Sequence, residues 1–326
     1  MTLCAAWVRE IDNEQELVFA TDSCLSGGES WHSGVKLFEL PRKDCLICFA
    51  GDTHRTYPLI LNLISSIKFD AHLANPHTDI EDVLEYLTKL FTDLCKSITN
   101  YQPQTFEEAL GDFQFLFGGW SWKNHGFKLW KLSYSHEFGE IKHDEEDSSN
   151  MVCTFIGDEL DTANQSLDEE LANRGRIRAR TFDMEPFNVL VKMIREKKFS
   201  GIDGAVQLAK IHPPGATEFL GVYWPFMENG KKTFLGKDVT VDNNPAVRFV
   251  DPDTADIVEN SLPEYIKEID DDTYGIHTEF LIKCYPNGKL KSNLTKRDKV
   301  NLKEIFEFVA YQQFLDNQNS KEEVVE

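Results

Sequence analysis

The feature that most constrains the fold of this chain is its hydrophobic period, which changes in blocks. Leu3 to Val8 and Leu17 to Asp22 read as short strands separated by the polar stretch Arg9 to Glu16. Val35 to Leu40 and Cys45 to Ala50 follow, joined by the turn-like Pro41-Arg42-Lys43-Asp44. Past Gly51 the period lengthens. Leu59, Ile60, Leu63 and Ile64 share a helical stripe, and Ile80, Val83, Leu84, Leu87, Phe91, Leu94 and Ile98 continue it, with Thr78 and Glu81 at capping-box spacing. Strand patterns return at Phe113 to Phe117, Phe127 to Leu132 and Met151 to Ile156, the last preceded by an acidic loop, Asp144 to Asp147. Helical patterns follow at about Glu159 to Asn173 and Glu185 to Lys197, and the strands Ala205 to Ile211 and Phe219 to Trp224 close this part. Strands and helices grouped in blocks point to α+β layers and away from alternating parallel βαβ units. The expected architecture is a two-sheet sandwich with helices on both outer faces.

After about Gly236 the character shifts to a Pro-, Asp- and Asn-rich stretch, a Pro286-Asn287-Gly288 hairpin signal and an amphipathic helix near Leu302 to Phe314. The expected organisation is one large domain over residues 1–236 and an appended C-terminal element over 237–326. The chain of 326 residues carries 34 Lys+Arg against 55 Asp+Glu, a net charge of −21. Such a balance argues against a chain that works by neutralising phosphates or anionic lipid, so neither nucleic acid nor membrane is an expected partner. Within the appended element, Asp251 to Thr273 holds nine acids and one base, and Lys283 to Lys299 six bases and one acid. These blocks read as solvated loops, or as charges that pair with each other or between subunits.

No apolar run reaches the roughly 18 residues of a membrane span, and the start lacks the basic-then-apolar order of an export signal. Seven cysteines, an odd number, suit a reducing compartment, and the cytoplasm is the expected location. Cys45 and Cys48 have Cys-x-x-Cys spacing but lie in a strand, where residues three apart face opposite ways. No second cysteine pair completes a four-ligand site, so no metal or other cofactor is expected.

Common catalytic signatures are absent: there is no phosphate-cradling Gly-x-x-x-x-Gly-Lys-Ser/Thr and no His-Glu-x-x-His. Gly119-Trp120-Ser121-Trp122-Lys123 departs from a serine-hydrolase elbow at its last position. What remains is the N-terminus. Removal of Met1 exposes Thr2, placing a hydroxyl and an α-amine on one residue. An α-amine has an ordinary pKa of about 7.7–8.0 and serves as a base near neutral pH. A threonine hydroxyl activated by an N-terminal amine is a recognised nucleophile. Asp22 ends the second strand and Lys36 begins the third. If those strands pair with the strand that starts at Thr2, the three groups meet at one sheet end. Lys36 then lowers the pKa of its neighbours, while Asp22 holds the ammonium in place.

Together these residues resemble the pattern of proteasome β-type subunits and their bacterial relatives in the N-terminal-nucleophile hydrolase superfamily. The matching pieces are Thr2, Phe19-Ala20-Thr21-Asp22-Ser23, Gly34-Val35-Lys36 and Cys48-Phe49-Ala50-Gly51-Asp52. Later landmarks fit more loosely: Gly118-Gly119, Phe155-Ile156-Gly157 and Gly204-Ala205-Val206-Gln207-Leu208. The resemblance implies a four-layer αββα sandwich and amide-bond hydrolysis. Thr2 would be the nucleophile, Asp22 and Lys36 its supports, and the turn at Gly51 the source of a backbone N–H for the oxyanion. It further implies a peptide or amide substrate, homo-oligomerisation and a partner ATPase. Two positions depart from the family pattern: Asp158 stands where a serine follows the glycine, and Lys197 where an acid supports the amine. The alternative is a non-catalytic assembly or binding protein of the same fold.

Overall fold

A computed structural model describes residues 2–11, 14–75, 77–100, 110–146, 152–177, 181–213, 215–240, 242, 245–258, 278–285, 291, 294–306 and 308. The chain divides into two compact units, residues 1–243 with 249–256, and residues 244–248 with 257–326.

The first unit is mixed α/β. It opens with β1 (Leu3–Ile11), β2 (Glu14–Thr21), the short pair β3 (Leu25–Ser26) and β4 (Ser30–Trp31), then β5 (Leu37–Glu39) and β6 (Cys45–Ala50). Helices α1 (Thr53–Phe69) and α2 (Ile80–Lys96) follow, then β7 (Gln114–Ser121), β8 (Gly126–Ser135), β9 (Glu140–Glu145) and β10 (Cys153–Gly157). Helices α3 (Leu160–Asn173) and α4 (Glu185–Glu196) precede β11 (Gln207–His212), β12 (Ala216–Trp224), β13 (Lys231–Phe234), β14 (Lys237–Asp238) and β15 (Phe249–Val250).

Two sheets carry the unit. One runs β10-β1-β2-β11-β12-β13-β14, with β15 parallel to β12, and the other runs β5-β6-β7-β8-β9, antiparallel throughout. Strand β6 shows how side-chain alternation divides the core. Leu46, Cys48 and Ala50 pack with Cys4, Ala6, Leu17, Phe19 and Ala209 of the other sheet. Cys45, Ile47 and Phe49 pack instead with Leu59, Ile60 and Leu63 of α1 and Val83, Leu87 and Phe91 of α2. The Cys45 and Cys48 side chains thus occupy opposite faces. Helix α4 packs against β1 and β2 of the larger sheet, and α3 against β10.

Local chemistry sets the helix starts. Asp52 caps α1, its carboxylate accepting from the His54 N–H at 3.0 Å. Asp79, not Thr78, caps α2, accepting from the Glu81 N–H at 3.1 Å, while the Thr78 hydroxyl donates to the His72 carbonyl at 2.6 Å. The expected acidic loop is also corrected: Asp144 and Glu145 lie in β9, paired with Lys131 and Trp130 of β8. That strand is an edge strand with exposed charged residues, so it lacks the apolar alternation that marks a buried one.

In the second unit, α5 (Thr278–Cys284) contributes Leu281 and Cys284 and the helical residues 296–306 contribute Leu302 to a small cluster that Tyr285 and Leu294 complete. The Pro286-Asn287-Gly288 signal and the end of the expected last helix lie outside the described residues. Among the described residues no helix is long and apolar enough to cross a membrane.

Candidate active site

The site begins with strand register. β1 and β2 are antiparallel with Cys4 opposite Thr21, which places Thr2 and Asp22 at the same sheet end. The Asp22 N–H donates to the Leu3 carbonyl at 3.3 Å. Two backbone donors then hold the Asp22 carboxylate: the Leu3 N–H at 3.1 Å and the Cys24 N–H at 2.9 Å. Lys36 arrives from the other sheet, one residue before β5. Gln207, the first residue of β11, fixes its backbone: the Gln207 Oε1 accepts from the N–H groups of Lys36 at 3.0 Å and Leu37 at 3.3 Å. The Phe49 N–H donates to the Lys36 carbonyl at 3.3 Å.

Lys36 Nζ thereby reaches three oxygens, Asp22 Oδ1 at 3.0 Å, Asp22 Oδ2 at 2.9 Å and Thr2 Oγ1 at 2.8 Å. An ammonium has three N–H bonds to donate, so this set uses all of them. Asp22 and Lys36 are both fully buried, and Thr2 is 4% exposed. Burial pushes the Asp22 carboxyl above the usual carboxylate range, against the pull of Lys36 and the two backbone N–H groups. Next to it, burial and the Asp22 charge push the Cys24 thiol up, so the thiolate that a cysteine nucleophile needs is disfavoured.

The expected constellation Thr2, Asp22 and Lys36 is therefore brought into one hydrogen-bonded group. Gly51 takes no part in those hydrogen bonds. It follows Ala50, which lies against Gly157, and its φ of +111° takes the chain from β6 into α1 where a Cβ would overlap the Asp112 carbonyl. Ser23 is structural: its hydroxyl donates to the His32 carbonyl at 2.8 Å and accepts from the Ala205 N–H at 2.9 Å, tying two loops together. Lys197 closes α4, with its N–H bonded to the Ile194 carbonyl.

By sequence alone, Asp158 is a departure from the serine of the family pattern. In the structure it is a member of the site. β10 pairs with β1 with Leu3 opposite Gly157, so Asp158 stands opposite Thr2. The Asp158 N–H donates to the Thr2 carbonyl at 2.8 Å, and the Thr2 N–H donates to Asp158 Oδ2 at 2.6 Å. Gly157, at φ +109°, permits this approach, because a Cβ there would overlap the Thr2 carbonyl oxygen. The signal available in the sequence was a glycine followed by an acid at the end of an apolar strand.

Other concentrations of polar groups lie apart from this end of the sheet. A surface cleft lined by Glu170, Arg174, Asn188, Lys192, Arg195 and Asp253 borders α3 and α4 and includes none of the residues above. Among the described residues no group of three or more His, Cys, Asp or Glu is arranged to hold a metal ion.

No family model matches the chain, and no curated protein matches it. Solved structures similar to it include the Anbu complex from Pseudomonas aeruginosa, a helical assembly. That protein is 17% identical, with 67% of this chain and 85% of that one covered and a TM-score of 0.49. Anbu (ancestral beta-subunit) from Yersinia bercovieri is 14% identical over 65% of this chain and 82% of that one, with a TM-score of 0.44. Anbu from Hyphomicrobium sp. strain MC1 is 14% identical over the same shares, with a TM-score of 0.45. These scores carry no argument about what this chain does. The findings correct the family assignment drawn from the sequence. The similar structures are Anbu proteins, a family distinct from proteasome β-type subunits, and no family model or curated relative supports membership of the latter. The sharp part of the resemblance was confined to the first sixty residues, where a few short motifs record how strands β1, β2, β5 and β6 meet.

Proposed function

We propose that this chain is a threonine-type amide hydrolase, acting on a peptide or another amide, in which Thr2, exposed by removal of Met1, is the nucleophile and its α-amine the base. The observation that carries this reading is the 2.8 Å contact between Lys36 Nζ and Thr2 Oγ1, with Asp22 bracing the lysine. A cation at that distance stabilises the oxygen as its proton leaves, which is the activation a threonine hydroxyl requires. In the reaction, the α-amine takes the hydroxyl proton as Oγ1 attacks the substrate carbonyl. The developing oxyanion draws on backbone N–H donors at the Gly51 turn. The C–N bond then breaks, the ammonium returns its proton to the leaving amine, and an ester to Thr2 remains. Water, deprotonated by the same amine, attacks that ester and restores the hydroxyl.

This reading includes a four-layer αββα arrangement, α1 and α2, the β5–β9 sheet, the larger sheet, then α3 and α4. The two apolar clusters and the contacts of α3 and α4 support it. It also includes self-assembly, a partner ATPase and a cytoplasmic location.

Intact-mass measurement and labelling test the function. The expected result is a mass lacking Met1, acylation of the wild-type protein at Thr2 by a β-lactone, and complete loss of that label in Thr2→Ala. Retained Met1 overturns the mechanism, since its peptide bond leaves Thr2 with an amide nitrogen that cannot act as a base. The near-complete burial of Thr2 favours a second reading, a non-catalytic assembly or binding protein in which the Thr2–Lys36–Asp22 group only ties the sheets together. Persistent Met1 with an unlabelled Thr2 is the outcome that reading expects.

A further inference from the structure

Helix α1 interrupts the acidity of this chain. The sequence holds 55 acids in 326 residues, yet the 17 residues from Thr53 to Phe69 include none, while α2, α3 and α4 each carry at least two. Leu59, Ile60, Leu63 and Ile67 turn inward into the cluster shared with the β5–β9 sheet and α2. At about 3.6 residues per turn, the opposite side of the helix is the row Pro58, Leu61, Asn62, Ser65 and Phe69. All five are exposed, Leu61 to 57% and Phe69 to 83%. The Asn62 amide is turned onto its own helix, donating to the Pro58 carbonyl at 2.8 Å.

The titratable groups on α1 are His54, Arg55, Tyr57 and Lys68. Arg55 pairs with Asp52 at 3.4 Å, the Tyr57 hydroxyl donates to the Val35 carbonyl at 3.0 Å, and the Lys68 ammonium lies 5.8 Å from the Phe69 ring. The acids at the two helix ends face local backbone: Asp52 accepts from the His54 N–H at 3.0 Å, and Asp70 from the His72 N–H at 2.8 Å and the Leu73 N–H at 3.1 Å. Helix α2, packed alongside, exposes Glu85 and Asp93 together with Lys89 and Lys96, two of each sign.

We propose that this row is the face on which a second copy of the chain docks, α1 against α1, antiparallel about a two-fold axis at Ser65. The row is self-complementary. Leu61 and Phe69 stand four residues to either side of Ser65, so the two-fold brings Leu61 of each copy onto the partner's Phe69, and the small serine lets the backbones approach. The contact runs about 16 Å, from Pro58 to Phe69. A net charge of −21 opposes the approach of another copy over an acidic surface, and that opposition is smallest where acids are absent. A basic partner would be drawn to the acidic surface instead. Self-assembly belongs to the reading above; the inference here names its surface, and no step of it involves Thr2. One helix pair buries less than the roughly 800 Å² per partner of a standard interface, so the association is expected in the micromolar range or weaker.

Sedimentation equilibrium of the full-length protein, from low micromolar to several hundred micromolar, tests this. Wild type is expected to shift from monomer to dimer or a larger assembly across that range. Leu61→Glu is expected to weaken the shift tenfold or more, because each new carboxylate is desolvated against an aromatic ring. Leu61→Glu combined with Phe69→Lys is expected to recover it, because the two-fold sets each carboxylate beside the partner's ammonium. Both side chains are exposed, so neither change disturbs the core. Wild type that stays monomeric overturns the inference together with self-assembly and leaves the face to a different partner. Assembly that Leu61→Glu does not weaken overturns the inference alone, since the copies then meet elsewhere. A single variant that loses assembly without recovery in the charge pair overturns the antiparallel arrangement. Labelling of Thr2 enters none of these readouts, so each outcome is separate from the nucleophile reading.

Discussion

Lys36 illustrates how one side chain carries both packing and chemistry. It is a fully buried cation whose counter-ion, Asp22, is fully buried as well; Asp22 follows the end of β2 in one sheet and Lys36 precedes β5 in the other. Removing one member of such a pair leaves the other uncompensated in a medium of low dielectric. Lys36→Met is therefore expected to lower unfolding stability by about 3–5 kcal/mol. In the double variant Lys36→Met with Asp22→Asn, most of that loss is expected to return, because no unmatched charge remains. Urea unfolding of the three proteins measures this directly, and a double variant no more stable than Lys36→Met refutes it. Thr2, Asp22 and Lys36 were legible in the sequence because each closes or opens a strand, and strand ends meet at sheet ends. Asp158 was not legible as a partner because its contact spans 156 residues, and only the pairing of β1 with β10 brings it there.

At the scale of elements, cross-strand register builds a second charged group on the larger sheet. Glu16 of β2 accepts from Lys210 of β11 at 3.2 Å and lies 3.1 Å from His212 Nδ1, while His212 Nε2 lies 2.8 Å from Glu218 of β12. Burial opposes a charged ring at His212, but the hydrogen bonds and charges of Glu16 and Glu218 outweigh it and hold the imidazole above its ordinary range. Against the cost of burial, His212, Lys210 and Arg9 hold Glu16 far below the usual carboxylate range. A raised folded-state pKa adds stability that is fully present below the unfolded value of about 6.5 and is lost as pH rises through the folded value. His212→Gln is thus expected to be less stable than wild type near pH 6, with the gap narrowing as pH rises past the folded pKa. Urea midpoints from pH 6 to pH 9 provide the measurement, and a gap that widens with pH contradicts the assignment. Glu16 stays ionised across this window, so it does not confuse the sign. Element types were readable where one face is apolar, as in α2 and β6. Edge strand β9 was missed because its pairing satisfies backbone groups without burying an apolar face. The cap of α2 moved by one residue because Thr78 and Asp79 both offer an oxygen, and the choice fell to Asp79, which also accepts from the Ser121 hydroxyl and the Lys123 N–H.

For the whole molecule, the strands of the first unit continue past the change in composition at Gly236. β14 pairs with β13, and β15 pairs in parallel with β12, where Phe249 packs over Gly221 and beside Tyr223. A chain truncated after Asp256 is expected to keep the thermal midpoint of the first unit. One truncated after Gly236 loses β14 and β15, uncovers Gly221 and Tyr223, and is expected to melt several degrees lower, on the order of 2–4 °C per kcal/mol for a unit of this size. Calorimetry on the two truncations tests this, and equal midpoints would show that β15 contributes nothing. Local periodicity and the residues at strand ends are enough to read the block order of strands and helices, the buried alternation of β1, β2 and β6, and the placement of Thr2, Asp22 and Lys36 at strand ends. That β10 lies beside β1 and that Asp158 meets Thr2 follow from the folded sheet alone. Pairing between strands far apart in the chain is selected by burial of the whole sheet face, a quantity that no local window of residues contains.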